Sequence, residues 1–283
     1  MNDYVDQFIS FLSDVRGASK NTVKAYRYDL NAFFLVVRKD PLQVVRTDVQ
    51  QYIVHARSKG HSPKTINRRL NCLITFYAYL IEEMELDVKN PVRRDYKQKV
   101  KDKTAMRSVR IAPDEATRLL EIVKKRDTIA YVALLLMGKA GLRISEVIDL
   151  KIEHIDFERG TIFVVDSKGD DREVPLPASV RKGILETIML RRKGNVILHS
   201  GGIPYTSTAG LWKKVRRWMV KCGVVGTPHS WRRCCGTEVY RATKDIVLVQ
   251  RILGHKSIET TRQSYVDDED NIGSVANKMD RIF

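Results

Sequence analysis

The chain has 283 residues, with 50 Lys or Arg against 34 Asp or Glu, giving a formal charge of +16. That length holds one large or two medium domains, each with its own core, and the charge calls for a polyanionic partner. No apolar run is long enough to span a bilayer and no signal-like segment opens the chain, so a membrane role is not expected.

Residues 1–86 read as helix throughout. Tyr4, Val5, Phe8, Ile9 and Leu12 recur at helical spacing. Ser19 opens a second helix with Val23, Tyr26, Leu30 and Phe33 on its apolar face. Thr47-Asp48 opens a third, through Val49, Tyr52 and Ile53. Ser62-Pro63 opens a fourth, with Ile66, Leu70, Leu73, Ile74 and Tyr77 as its stripe. The two serine-capped helices carry basic residues in their opening turns, Lys20, Lys24 and Arg27 on one and Lys64, Arg68 and Arg69 on the other. A solvated face is the plainer reading of either helix alone. Two such faces in a strongly basic chain point to DNA, with hydroxyls and cations at the helix starts suited to phosphates and a major groove.

The periodic pattern lapses from Asp87 to Arg110. Asn90-Pro91 stops a helix, and Arg93, Arg94, Lys97, Lys99, Lys101, Lys103, Arg107 and Arg110 follow. Such a stretch cannot bury a core and reads as a basic linker over 87–108, able to track a DNA backbone. A second domain, 109–283, starts at Ile111-Ala112-Pro113-Asp114-Glu115. Its helix from Ile129 to Met137 is apolar almost all round and therefore buried, with Gly138 and Gly141 ending it ahead of Arg143. No G-x-x-x-x-G-K-[ST] loop occurs, so no nucleotide cofactor is implied. Gly160–Asp166 and Arg172–Leu176 are β-branched runs flanking S-K-G-D-D, a hairpin with Lys168 at its tip. Helices resume from Ala178, and Leu211–Met219 is rich in Trp and Arg.

The most informative stretch runs from Thr227 to Tyr265. Thr227 can cap a helix, Pro228 suits its first turn, and His229 and Arg232 then share a face. A helix start of this kind favours a phosphate. Gly254 breaks the next helix just before His255, and Ser257 can cap a last short helix carrying Tyr265. Beyond it, Ile272, Val275, Ala276, Met279, Ile282 and Phe283 form an apolar stripe that must pack on something, its own domain or a second protomer. Cys72, Cys222, Cys234 and Cys235 make no CxxC pair and no disulfide framework, which predicts a reducing cytoplasm. The spacing of the last three with His229 fits no common zinc site, so buried thiols and no metal are expected.

H-x-x-R at His229 and Arg232, L-G-H at 253–255, Tyr265, the upstream A-G-L-R with Arg143 and Glu146, and Lys168 in its turn stand in one order. Together they resemble the signature of the tyrosine recombinases, the phage-integrase and Xer family. One departure stands out: Tyr265 follows His255 by ten positions, where most of the family has nine. The resemblance implies a mainly α fold, with a helical core-binding bundle over 1–86 and an α-rich catalytic domain containing a small antiparallel sheet. It implies a linker that lets the two domains clamp a duplex, and no arm-binding domain is expected ahead of residue 1. It assigns Tyr265 as the nucleophile that leaves a 3′-phosphotyrosyl link and a free 5′-hydroxyl. Arg143 and Arg232 then hold the non-bridging oxygens, and His255 and His229 add donors, His229 also being able to take the tyrosine proton. Lys168 protonates the leaving group, and Glu146 orients the arginines or the histidine, or serves only the structure.

No metal, ATP or other cofactor is needed for that chemistry. The expected partners are double-stranded DNA with inverted-repeat core sites and a homotetramer, a pair of dimers, whose C-terminal helix packs on a neighbouring protomer. A cytoplasmic, nucleoid-associated setting follows. A type IB topoisomerase, or a DNA-binding regulator that kept the fold and lost catalysis, are the alternatives.

Overall fold

In a computed structural model the described residues are 3–99, 111–165, 171–199, 201–255 and 257–265, with side chains for all of these except Thr260, Gln263, Ser264 and Tyr265. The chain divides into two compact units, Met1–Ala105 and Met106–Phe283.

The first unit is a bundle of α1 (Asp3–Asp14), α2 (Lys20–Val37), α3 (Arg46–Ser58) and α4 (Pro63–Glu82). The expected stripes form its core: Phe8, Phe33, Phe76 and Leu70 are fully buried and Tyr52 and Tyr77 nearly so. Each such side chain stabilises the bundle by about 1.5–3 kcal/mol. The helix starts are built alike. Thr22 N donates to Ser19 Oγ and Thr65 N to Ser62 Oγ, both at 3.2 Å, which satisfies a backbone donor that helix geometry leaves unpaired. Asp48 does the same for α3, accepting from Val45 N at 2.9 Å.

Residues 87–99 depart from the reading as linker. Val92 is buried in the bundle core with Val88 and Tyr96 packed beside it. Asn67 Nδ2 donates to Gln98 O at 2.9 Å, and Gln98 N returns a bond to Asn67 Oδ1 at 2.7 Å. Three apolar residues, each four apart among the cations, are enough to hold this segment down, and within it only Arg94–Tyr96 takes a short 3-10 turn. Lys101, Lys103, Arg107 and Arg110 lie outside the described residues.

The second unit centres on α6 (Thr128–Gly138), whose Ala130, Val132, Ala133, Leu134 and Leu136 are fully buried, as all-round apolarity requires. Around it pack α5 (Pro113–Lys124), α7 (Ile144–Asp149), α8 (Ala178–Ile188), α9 (Thr208–Lys221) and α10 (Pro228–Thr243), while α11 (Ile246–Leu253) and α12 (Ile258–Tyr265) pack on α10 and on each other. Gly138 admits the indole of Trp231, since a β-carbon there would come within 2.6 Å of Nε1. That Nε1 donates to Leu134 O at 2.7 Å and locks α10 onto α6.

Strands β1 (Ile155–Asp156), β2 (Thr161–Val164) and β3 (Arg172–Pro175) form an antiparallel sheet in the order β1-β2-β3. The expected hairpin is thus β2–β3, and a two-residue strand, too short to show a period, joins its edge. Val164 pairs with Arg172 and Ile162 with Val174, which places Arg172 on the inner face of the sheet. Lys168, the expected tip of this hairpin, lies outside the described residues.

Candidate active site

Thr227 caps α10 as expected: its Oγ1 accepts from Ser230 N at 3.3 Å, and Pro228 occupies the first turn. His229 stands exposed in that turn, while Arg232, one turn on, is only 3 % exposed. Arg232 Nε donates to Gly141 O at 2.7 Å and Nη2 donates to Leu253 O, so two carbonyls fix the plane of the guanidinium. Gly141 takes φ +73° in the turn leading to Arg143, a conformation open chiefly to glycine.

Arg143 sits immediately before α7 with a third of its side chain exposed. Its Nη1 donates to Glu146 Oε1 and its backbone N to Glu146 Oε2, each at 2.6 Å, and Nη2 donates to Gly254 O. The two arginines therefore bind successive carbonyls, Leu253 and Gly254, at the end of α11. Gly254 terminates that helix with φ +59°, the left-handed cap expected of L-G-H. His255 follows, half-buried, and its Nδ1 lies 3.0 Å from Thr261 Oγ1 in α12. Thr261 is fully buried.

Glu146 is buried beneath this cluster with 4 % of its side chain exposed. Arg172, which sequence reasoning passed over, reaches it from β3: Nη1 donates to Oε1 at 2.9 Å and Nη2 to Oε2 at 2.8 Å. The only sequence signal was positional, an arginine where R-E-V-P alternation puts an inward side chain. Burial pushes the Glu146 carboxyl upward, but the hydrogen bonds and charge of Arg172, then those of Arg143, outweigh it and keep the carboxyl below its ordinary range. Three guanidiniums against one carboxylate leave the site positive.

The histidines respond to that charge. Burial first, then Arg232, Arg143, His229 and Arg172, bring the His255 imidazole down to about 4. His229 is lowered too, by the enclosure of part of its ring and then by Arg232, Arg233 and Arg143, even though the residue as a whole is exposed. Both are neutral imidazoles near pH 7 and therefore able to accept or share a proton.

The extra residue before Tyr265 is absorbed within a regular helix. Alpha-helical hydrogen bonding continues from Ile258 to Tyr265, and position 265 lies four residues beyond Thr261, one turn on along the same face. Among the described residues no group of three or more His, Cys, Asp or Glu is placed to hold a metal ion, and no helix is long and apolar enough to cross a membrane. Cys72, Cys222, Cys234 and Cys235 are free thiols, two buried and two half-buried.

A model of the phage integrase family matches residues 109–271, and one of the phage integrase N-terminal SAM-like domain matches 5–84. The chain belongs to the phage integrase family. Relatives within that grouping include a tyrosine recombinase of Thermosipho africanus, 31% identical over 97% of this chain and 99% of that protein. Tyrosine recombinase XerA of Pyrococcus furiosus is 28% identical over 92% of this chain and 88% of its own length. Among solved structures, a lambda integrase dimer bound to a COC′ core site matches with a TM-score of 0.75 at 18% identity, over 92% of this chain and 96% of that one. The Tn1549 transposon integrase in complex with transposon right-end DNA matches with a TM-score of 0.73 at 21% identity, over 98% and 99%. At those identities the likeness is one of fold, and the fold is that of the phage integrases, mainly helical with a small antiparallel sheet.

The first unit of this phage-integrase chain sorts its expected DNA contacts. Lys20, Lys24 and Lys64 are exposed at the starts of α2 and α4, as are Arg93, Arg94 and Lys97. Arg27 is paired with Asp6, Arg68 with the buried Asp29, and Arg93 with Asp95 at 2.9 Å. Arg69 is a correction. It is 7 % exposed, donates from Nη1 to Tyr52 Oη at 2.9 Å and lies 3.7 Å from Asp29, so it faces the core instead of a duplex. Asp29 explains the error: a buried carboxylate on α2 draws both arginines of α4 toward itself, and helical spacing alone does not reveal it.

Proposed function

We infer that the chain is a site-specific DNA recombinase that cuts and rejoins strands through a 3′-phosphotyrosyl intermediate. The observation that supports this best is the convergence of Arg143, Arg232 and His255 on one turn, with both guanidiniums bonded to the carbonyls of Leu253 and Gly254. In this reading a scissile phosphate binds at that positive turn, and Tyr265 attacks the phosphorus. The bond to the 5′-oxygen breaks, the phosphotyrosyl bond forms, and the phenolic proton passes to a neutral imidazole, His229 being the more accessible. Arg143 and Arg232 balance the charge that develops on the non-bridging oxygens, where pre-set donors act most strongly. Lys168 protonates the departing 5′-oxygen. Rejoining is the reverse reaction with a partner strand's 5′-hydroxyl and needs neither metal nor ATP.

The first unit is assigned as the core-DNA-binding domain, reading DNA through α2 and α4 with Lys20, Lys24 and Lys64. The basic segment 87–108, whose first part docks on the bundle, is assigned as the connection to a catalytic domain over 109–283. The DNA partner carries inverted-repeat core sites, and the working assembly is a homotetramer of two dimers. A groove of about 940 Å³ in the second unit, lined by Ala116, Leu120, Tyr131, Leu135, Trp231 and Val239, supports one part of that assembly. Its apolar wall suits the stripe of Ile272, Val275, Met279 and Phe283 from a neighbouring protomer; that stripe lies outside the described residues.

The test is a single-turnover cleavage assay on nicked DNA from the neighbourhood of the protein's own gene, with Arg143→Ala, Arg232→Ala and His255→Ala alongside. Each variant is expected to bind DNA and lose at least about a hundredfold in cleavage rate, the scale of removing one charge-stabilising donor. Full cleavage by Arg143→Ala would remove the assignment.

A further inference from the structure

Arg172 belongs to no element of the chemistry described above, yet its side chain makes three hydrogen bonds around the site. It occupies an inward position of β3, opposite Val164, and is 8 % exposed. A guanidinium placed there is costly unless its donors are satisfied. Both terminal nitrogens meet Glu146, at 2.9 and 2.8 Å, and Nε donates to Ile252 O at 3.0 Å. It therefore ties three segments together: the hairpin that leads to Lys168, the end of α11 that carries Gly254 and His255, and the start of α7 that carries Arg143.

Two further observations bear on what this tie does. Glu146 uses the same two oxygens on Arg143, accepting from its backbone N and its Nη1 at 2.6 Å. A carboxylate shared by two guanidiniums leaves one net positive charge; with Arg143 as its only partner it would cancel that arginine's charge. Gly254 also lies against Arg172, since a β-carbon at 254 would meet Nη1 at 2.9 Å and Cζ at 3.0 Å. The glycine of L-G-H is thus required for its neighbour as well as for its left-handed backbone.

We propose that Arg172 is a positioning residue for strand cleavage: it engages Glu146 so that Arg143 is held toward the scissile phosphate with its charge uncancelled, and it fixes the turn that presents His255. The proposal rests on the reading of Arg143 as a phosphate-binding group. Arg172 itself touches no reacting atom.

The test measures DNA affinity and the single-turnover cleavage rate at saturating nicked DNA for Arg172→Gln, Arg172→Lys, Glu146→Gln and the double variant Glu146→Gln/Arg172→Gln. Arg172→Gln is expected to lose tenfold or more in rate with affinity within about twofold, and Arg172→Lys, which keeps the charge, to recover part of it. The double variant removes both buried charges and is expected to fold even where Arg172→Gln does not. Its rate loss should be smaller than the product of the two single losses, because the two groups act on each other. Wild-type rate in a folded Arg172→Gln, or losses that multiply independently in the double variant, would overturn the proposal. Wild-type protein and Arg143→Ala run in the same assay separate the cases. If wild type forms no covalent product, the recombinase reading fails; if only the Arg172 variants behave as wild type, this inference alone fails.

Discussion

Thr261 Oγ1 lies 3.0 Å from His255 Nδ1, linking the histidine of L-G-H to the helix that carries Tyr265. The hydroxyl is fully buried one turn before Tyr265, so the ring's orientation and the face of α12 are fixed by the same contact. Thr261→Val keeps the shape and removes the hydrogen bond, worth about 0.5–1.5 kcal/mol, and is expected to slow single-turnover cleavage by up to about tenfold. Thr261→Ser should restore most of the rate. Equal rates for Thr261→Val and wild type would show that His255 needs no such partner.

Gly254 makes a separate demand on stability. Its φ of +59° places an L-residue in the left-handed region, at a cost of about 1–2 kcal/mol, before any contact with Arg172 is counted. Gly254→Ala is expected to lower the melting temperature by several degrees and to reduce cleavage further than an isolated fold defect would. Calorimetry alongside the cleavage assay checks both.

The lowered histidines give the DNA-free protein a defined pH response. His255 titrates near 4 when folded and near 6.5 when unfolded, so between those values the unfolded chain takes up a proton that the folded chain refuses. Stability is therefore unaffected by this group above about pH 6.5, falls as pH drops from there toward 4, and levels off below. His229, lowered in the same direction, adds to the fall. Glu146, lowered below its ordinary value of 4.5, contributes its own loss only at more acid pH. Melting temperatures at pH 7 and pH 5 should differ less in His255→Gln than in wild type; an identical drop in both would exclude His255 as a source.

The basic residues of the first unit divide into two classes. Arg69→Met removes a buried partner of Asp29 and Tyr52 and should lower the melting temperature with little change in the salt dependence of DNA binding. Lys20→Ala, Lys24→Ala and Lys64→Ala are exposed changes that should leave melting unchanged. Each is expected to reduce the slope of log affinity against log salt by about 0.9 where a phosphate contact is lost. Salt titrations of binding by fluorescence anisotropy separate the classes.

The contrast between Arg69 and Lys64 also marks where sequence reading runs out. Periodicity located the four helices of the first unit because amphipathic stripes are local. It also placed His229 and Arg232 one turn apart, because a Thr-Pro start fixes a helix's phase. The burial of Arg69 depends on Asp29, forty residues earlier in the chain, and nothing local records that pairing. Arg172 was missed for the same reason, since its partner Glu146 is 26 residues away and the strand that carries it is short. The segment 87–99 read as a linker because cations outnumber its three apolar anchors and Asn90-Pro91 breaks a helix among them, although the anchors are enough to dock it. The extra residue before Tyr265 looked disruptive when counted along the chain. The helix over Ile258–Tyr265 runs on without a break, and one added residue in it turns the following position by about 100°.

All of this chemistry turns on Tyr265 as the nucleophile. The deciding measurement is a covalent trap: the protein is mixed with nicked DNA from beside its gene, quenched in SDS, and the adduct mapped by mass spectrometry, with Tyr265→Phe as the partner sample. The expected result is a 3′-phosphotyrosyl adduct on Tyr265 that is absent in Tyr265→Phe. An adduct on another residue, or DNA that is bound tightly and never cleaved, would contradict it.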